Sequence, residues 1–404
     1  MKQAFITLLG ILCLMINCTN APDILSNSDR IRPWPQNPRY WQFKGKPVLL
    51  LGIRYDNWLW VADPESLLTV LKDAGGNYIE CSLFSAGTNK LNPWTSNNLS
   101  DSHDVRLNTL FWERLEALLR KSEKMNILVQ LRMLPEQRSV ASQGAINHHQ
   151  MQMLTDTLLA RTLQFGNILY RLNFNNAITP KESLFWIKYI KSRTVMQKRH
   201  ISVSADPAHL HNFLSNPDSL QNQSLFSFSM NLQASGLSGQ SHWNAIQSER
   251  NATMENPLPV TCSGSFSDPL AAFWRNMLGG MAAVLFEENP GIKFGSEALA
   301  SLKSARMLQE KLDLFRSSPN RMDLLLNRNE DDAYMTCILN KQYALFFPRE
   351  GSADLTLENM TGIFEYRWLD IKKSEWRNPM QIPGGGISRT ITPAPGAWIA
   401  LYRK

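Results

Sequence analysis

The sequence has 404 residues, 43% of them hydrophobic, and a formal net charge of +7. A chain of this size can bury a large core and can hold more than one domain. Its basic residues are dispersed and form no run interleaved with aromatic residues, which argues against a nucleic-acid-binding protein.

Residues 1–21 have the pattern of an export signal. Lys2 is followed by a nearly unbroken apolar run, residues 5–16, that is too short to span a bilayer stably. Two processing sites compete: the small residues at 19–21 suit an ordinary signal peptidase, and Cys18 could be a lipidated cysteine. We therefore expect an exported protein, either periplasmic, outer-membrane-associated or extracellular, with membrane attachment only through a lipid anchor at Cys18.

Three cysteines follow the signal region: Cys81, Cys262 and Cys337. Their odd number, wide spacing and apolar surroundings predict buried thiols rather than a disulfide framework. The seven histidines show neither an HExxH motif nor a Cys-His zinc spacing. We therefore predict no metal site and no cofactor.

Apolar runs typical of strands alternate with helical patterns in residues 48–318. Such alternation indicates a parallel sheet wrapped by helices, and the continuous hydrophobicity of the runs fits strands buried on both faces. The predicted strands are 48–55, 77–84, 126–133, 167–174, 201–206, 225–231, 259–265 and 282–287. Eight such strands predict an α/β fold of the (β/α)8 TIM-barrel type, preceded by a Pro-rich lead-in at residues 22–47.

The pattern changes after Ser318 and Pro319. Residues 319–404 contain short alternating runs separated by turn residues, including three consecutive glycines at 384–386. This pattern is typical of a small antiparallel domain, and we predict a C-terminal β-sandwich.

Several motifs, in this order, carry a family resemblance. They are NPRYWQFKGKPVLLLG (37–52), GGNYIECS (75–82), FWRNMLGG (273–280), EALASLKSARML (297–308), EYRWLDIKKSEW (365–376) and PGAWIALY (395–402). Together they resemble secreted bacterial barrels related to glycoside hydrolase clan A, which also carry a C-terminal β-sandwich. The resemblance implies retaining hydrolysis of a glycosidic bond, with one carboxylate after the fourth strand and another after the seventh.

Neither carboxylate position that the resemblance implies holds a carboxylate here. The acid/base position after the fourth strand matches Asn175, whose amide cannot donate a proton as a carboxylic acid does. Near the nucleophile position after the seventh strand lie Cys262 and Ser263. The next acidic residue, Asp268, is interpreted as a helix N-cap. Retaining cleavage needs two carboxylates about 5–5.5 Å apart, so we predict that the usual pair is lost.

Acidic residues at other strand ends offer an alternative. Asp56 follows the first strand, Asp206 ends the fifth and Glu287 ends the eighth. The carboxyl ends of barrel strands form the catalytic face in this fold. A relocated pair drawn from these residues would make the protein a divergent but active glycosidase.

Charged residues interrupt the first four predicted strands. They are Arg54, Glu80, Arg132 and Arg171. Because charges seldom lie in a dry barrel interior unless they are paired, we predict that Glu80 bridges arginines near the barrel mouth. The cluster is either a structural ion network or a basic pocket for an acidic sugar or carboxylate ligand.

Polar and aromatic residues near the predicted mouth complete a candidate sugar site, and the segment 239–243 (GQSHW) resembles a family landmark. The predicted contacts are Arg54, Asp56, Asn57, Trp58, Glu80, Asn231, His242 and Trp243. The sequence thus predicts an exported glycoside hydrolase-like protein that acts on or binds an oligosaccharide or polysaccharide at the barrel mouth. The alternatives are the divergent glycosidase and a non-catalytic glycan-binding or structural protein.

Overall fold

A small antiparallel sheet precedes the main fold in the computed structural model, which describes residues 29–84, 91–95, 106–133, 148–172, 180–196, 201–205, 226–287 and 293–404. Its strands are β1 (Arg32–Trp34), β2 (Asn37–Phe43) and β3 (Lys46–Val48). Lys44 and Gly45, both with positive φ, form the turn between β2 and β3.

Eight parallel strands then form a closed barrel. In chain order they are β4 (Leu50–Ile53), β5 (Tyr78–Ser82), β6 (Leu128–Arg132), β7 (Ile168–Arg171), β8 (Ile201–Ala205), β9 (Phe226–Gln233), β10 (Val260–Ser263) and β11 (Ala283–Phe286). Consecutive strands pair, and β11 pairs with β4 to close the barrel. Each strand overlaps one predicted segment, and the predicted (β/α)8 fold is confirmed.

Helices surround the barrel. Those in the described part of the chain are α1 (Pro64–Asp73), α2 (Thr109–Lys124), α3 (His148–Thr162), α4 (Pro180–Met196), α5 (Gly239–Ala252), α6 (Pro269–Leu278) and α7 (Ser296–Gln309). Asp268 caps α6, since its carboxylate accepts a hydrogen bond from the backbone N–H of Ala271 over 2.9 Å. The predicted N-cap role of Asp268 is confirmed, and it explains that carboxylate without catalysis.

The lead-in lies against the amino-terminal ends of the barrel strands. The backbone N–H of Ile31 donates to the carbonyl of Gly166 over 2.9 Å, shortly before β7 begins. The buried guanidinium of Arg30 donates to the carbonyls of Leu163 and Phe165 in the same turn. This end of the barrel is therefore closed by the lead-in, and the opposite end is the mouth.

The chain after α7 forms two packed antiparallel sheets. After a short 3-10 turn at Met322–Leu324, the strands are β12 (Leu325–Leu326), β13 (Tyr334–Ile338), β14 (Gln342–Phe347), β15 (Ser352–Thr356), β16 (Ile363–Asp370), β17 (Glu375–Trp376), β18 (Met380–Pro383), β19 (Ile387–Ile391) and β20 (Trp398–Arg403). One sheet has the order β12-β15-β19. The other has the order β13-β14-β20-β16-β17, with β18 also paired to β16.

The larger sheet is buried on both faces. Phe346 on β14 points toward the barrel and stacks on Trp274 of α6 with ring centroids 6.0 Å apart. Its neighbours Leu345 and Phe347 belong instead to the core between the two sheets. Alternate residues of one strand thus serve two hydrophobic cores. This arrangement confirms the predicted sandwich and attaches it to the barrel.

The cysteines behave as predicted, since Cys81, Cys262 and Cys337 are buried free thiols. Within the described ranges, none of the helices is both long and apolar enough to cross a membrane. Over the same ranges, no three or more His, Cys, Asp or Glu side chains are grouped so that they could hold a metal ion.

Candidate functional site at the barrel mouth

Polar side chains point into the barrel from neighbouring strands. The hydroxyl of Tyr78 donates to Oε1 of Gln130 over 2.8 Å, and Nε2 of Gln130 donates to Oε1 of Glu80 over 2.9 Å. Because side chains alternate along each strand, the intervening residues Ile79 and Cys81 face the helices. These strands therefore carry a hydrogen-bonded polar layer on their inner face and apolar residues on their outer face.

Glu80 is the centre of this layer. Its side chain is 2% exposed. Oε1 is paired with Nη1 of Arg171, and Oε2 lies 3.8 Å from Nε of Arg132. The predicted bridge between Glu80 and the arginines is confirmed for these two. Gln130 and Tyr78 extend it, and the sequence reasoning missed both, although their alternation with apolar residues in the strands was a usable signal.

A second group of ion pairs lies closer to solvent. Nη1 of Arg54 is 3.1 Å from Oε2 of Glu287, and Nε of Arg54 is 3.5 Å from Oδ1 of Asp56. The same Oδ1 atom lies 2.6 Å from Nη2 of Arg132. Asp56 therefore links the two groups, and Arg54, Asp56, Glu80, Arg132, Arg171 and Glu287 form one network, called here the mouth network.

The carboxylates of the mouth network differ in their affinity for a proton. Burial alone would raise the pKa of Glu80, but Arg171, Arg132 and Arg54 outweigh it and lower the pKa to about 2. Burial raises the pKa of Glu287 to about 7, although Arg54 opposes the change. Glu80 is thus a fixed negative charge, whereas Glu287 exchanges its proton near neutral pH.

Glu287 gives the protein a stability that depends on pH. A carboxyl group whose folded-state pKa exceeds its ordinary value of 4.5 stabilises the fold fully below pH 4.5, and this contribution is lost as the pH rises toward about 7. We expect the free energy of unfolding to fall over this interval. Urea unfolding of the wild type and of Glu287→Gln, from pH 4.5 to about 8, measures it.

Glu287→Gln should show the shallower pH dependence, because the amide has no proton to lose. The matched control is Glu358→Gln, which changes an exposed carboxylate. In this variant the free energy of unfolding should change with pH as steeply as in the wild type. Equal slopes for all three proteins would contradict the role assigned to Glu287.

The end of β10 resolves a choice that the sequence left open. Cys262 faces the helices, where its Sγ atom lies 3.6 Å from Nε2 of His242, and burial raises the pKa of this thiol well above its ordinary value. By alternation along the strand, Ser263 is the residue that faces the interior, and it is buried. The inward residue at the end of the seventh barrel strand is therefore a hydroxyl.

His242 and Trp243 occupy packing positions. His242 is fully buried on α5, accepts a hydrogen bond from Nε of Arg275 over 3.3 Å, and stacks on Phe266. Burial, assisted by Arg275, lowers its pKa to about 4, so it is neutral at physiological pH. Trp243 is also buried, with its ring centroid 5.2 Å from that of Tyr334 in the C-terminal sheet. The sugar contacts predicted for them give way to a role in packing, because α5 turns both side chains away from solvent.

The other predicted sugar contacts differ in their exposure to solvent. Asn57 is exposed beside Asp56, whereas Trp58 is buried in an aromatic cluster with Tyr55, at a centroid distance of 5.3 Å. Trp58 therefore packs beneath the mouth instead of presenting a ring to a ligand. Asn231 lies on β9 and pairs with Thr261 of β10.

Two predicted catalytic positions, Asn175 and Asp206, lie outside the described residues. Of the predicted residues that are described, the structure brings Arg54, Asp56, Glu80 and Glu287 together in the mouth network.

Solved structures provide the comparison for this architecture. One, described as a glycoside hydrolase, matches with a TM-score of 0.70 and 11% sequence identity, covering 93% of this chain and 97% of its own. The chain shares the fold of this structure. A second, a glycoside hydrolase family 5 protein from Bacteroides vulgatus ATCC 8482, matches with a TM-score of 0.69 at 11% identity, covering 93% of each chain. No protein-family model matches the sequence, and neither does any curated protein.

The shared fold extends over both parts of the molecule, because each match covers 93% of the chain. The C-terminal sandwich is thus part of the shared architecture, together with the barrel. The resemblance drawn from the sequence motifs is confirmed at the level of fold.

Proposed function

We propose that this protein is exported and binds an oligosaccharide or polysaccharide at the barrel mouth without the usual retaining carboxylate pair. The observation that carries the proposal is the end of β10, where the inward residue is Ser263 and not a carboxylate. A hydroxyl can donate and accept hydrogen bonds with sugar hydroxyls, but it cannot replace the second carboxylate of a retaining mechanism.

The charges of the mouth network support binding over hydrolysis. Glu80 is buried and held by Arg132 and Arg171, so it is available neither as a proton donor nor as a nucleophile that approaches a substrate. The usual acid/base position holds Asn175, whose amide cannot act as a proton donor in place of a carboxylic acid. The fold shared with glycoside hydrolases supports a saccharide as the ligand class.

A glycan array followed by a hydrolysis assay tests the proposal. The purified protein should bind at least one oligosaccharide and release no new reducing ends from it. Asn57→Ala should weaken binding, because this exposed side chain adjoins Asp56 at the mouth. Glu358→Gln, an exposed change in the C-terminal sandwich, should leave binding unchanged. The proposal fails if no glycan binds, or if the bound glycan is cleaved.

One observation favours a second candidate, a divergent glycosidase. Glu287 and Asp56 flank a single guanidinium, that of Arg54, and differ in burial: the Glu287 side chain is 8% exposed and that of Asp56 46%. Two carboxyl groups in such different environments can divide the roles of proton donor and anion. Cleavage by the wild type that is lost in both Glu287→Gln and Asp56→Asn would favour this candidate.

A further inference from the structure

We infer that Asp56 and Glu287 determine the ligand class of the mouth by excluding anionic saccharides, so that the site takes neutral, hydroxyl-rich sugars. This inference rests on the proposed saccharide-binding function and specifies its substrate class. It replaces the idea that the arginines in the strands form a basic pocket for an acidic sugar.

The arginines of the mouth network are already matched by carboxylates. Arg171 is paired with Glu80, and Arg132 contacts both Glu80 and Asp56. Arg54, the most exposed of the three at 27%, contacts Asp56 on one side and Glu287 on the other. Three guanidinium groups thus face three carboxyl groups. An incoming anion would have to displace an existing partner before it could pair with any of them.

Asp56 and Glu287 each use only one carboxyl oxygen in the ion pairs of the mouth network. Oε1 of Glu287 takes part in no ion pair with the described residues, but it is buried, so Glu287 acts on a ligand through its charge and not through a hydrogen bond. The other oxygen of this carboxyl group contacts Arg54. Both ion pairs of Asp56 use Oδ1, and its side chain is 46% exposed, so Oδ2 lies outside these pairs and can accept a hydrogen bond from a ligand.

Sugar hydroxyls satisfy such acceptors, and carboxylates do not. A hydroxyl donates its proton to a carboxylate oxygen, whereas an ionised carboxylate has no proton to donate. A uronic acid would also place a like charge beside Asp56, and beside Glu287 whenever that group is ionised. Like charges brought together at a binding interface weaken binding strongly. A neutral saccharide gains the hydrogen bonds without this repulsion.

The experiment compares one oligosaccharide in two forms. The neutral glycan that binds best on the array is oxidised at its primary alcohols to the corresponding uronic acids, and both forms are titrated calorimetrically at low ionic strength. We expect the oxidised form to bind at least about tenfold more weakly to the wild type. High salt should reduce the difference, because it screens the repulsion.

At a pH of about 8, where Glu287 is largely ionised, the variants Asp56→Asn and Glu287→Gln each remove a negative charge from the mouth network, and each should reduce the difference in affinity between the two forms of the glycan. Two variants are used so that the test still gives a result if one of them folds poorly. The control Glu358→Gln should keep the wild-type ratio of the affinities for the neutral and the oxidised glycan. Equal or tighter binding of the oxidised form by the wild type overturns the inference and leaves saccharide binding intact. If no glycan of either kind binds, the proposed function fails and the inference fails with it.

Discussion

Glu80→Gln should lower the free energy of unfolding by about 3–5 kcal/mol, as expected when one partner of a buried ion pair is removed. The substitution keeps the shape of the side chain but leaves Arg132 and Arg171 buried without the carboxylate that now compensates them. Urea unfolding near neutral pH measures the loss.

The control for Glu80→Gln is Glu365→Gln, which removes a carboxylate from a surface pair with Arg367. Exposed pairs contribute little, so a change within about 1 kcal/mol is expected there. Because the pKa of Glu80 is lowered to about 2 from an ordinary 4.5, its stabilisation is present above pH 4.5 and lost as the pH falls toward 2. The variant should lack this part of the acid transition. A small effect of Glu80→Gln at neutral pH would show that the network does not stabilise the fold.

Trp243→Ala should be destabilising by a similar amount, about 3–5 kcal/mol, which is typical of a buried tryptophan replaced by alanine. The ring is 1% exposed and lies between α5 and Tyr334 of the C-terminal sheet, so its loss opens a cavity where barrel and sandwich meet. Thermal and urea unfolding measure the effect.

Trp376→Ala provides the matched comparison for Trp243, because its ring is only partly buried at the edge of the sandwich. We expect a smaller loss of stability there. Saccharide affinity of the folded Trp243→Ala protein should equal that of the wild type. A stable Trp243→Ala protein with impaired binding would instead place this ring in the sugar site.

Much of the fold could be predicted because its signal is distributed along the chain. The eight apolar runs, whose first residues lie more than twenty positions apart, predict a parallel barrel. The bridge at Glu80 was also predictable, because a lone carboxylate and several arginines inside apolar strands have few other ways to be buried. Both inferences depend on residue type and spacing alone.

The direction of individual side chains was much harder to predict. Cys262 and Ser263 are adjacent, and a shift of one residue in a strand exchanges its inner and outer faces. His242 and Trp243 follow the sixth barrel strand in sequence, but their positions on α5 turn them toward Phe266 and Tyr334. The raised pKa of Glu287 depends on its depth below the surface, which the sequence does not specify.

The contact between Ile31 and Gly166 also shows which end of the barrel lies beside the start of the described chain. The described part of the chain begins at residue 29, at the closed end of the barrel and opposite the mouth. A tether attached before residue 29 would therefore hold the barrel by the end that lies opposite the mouth.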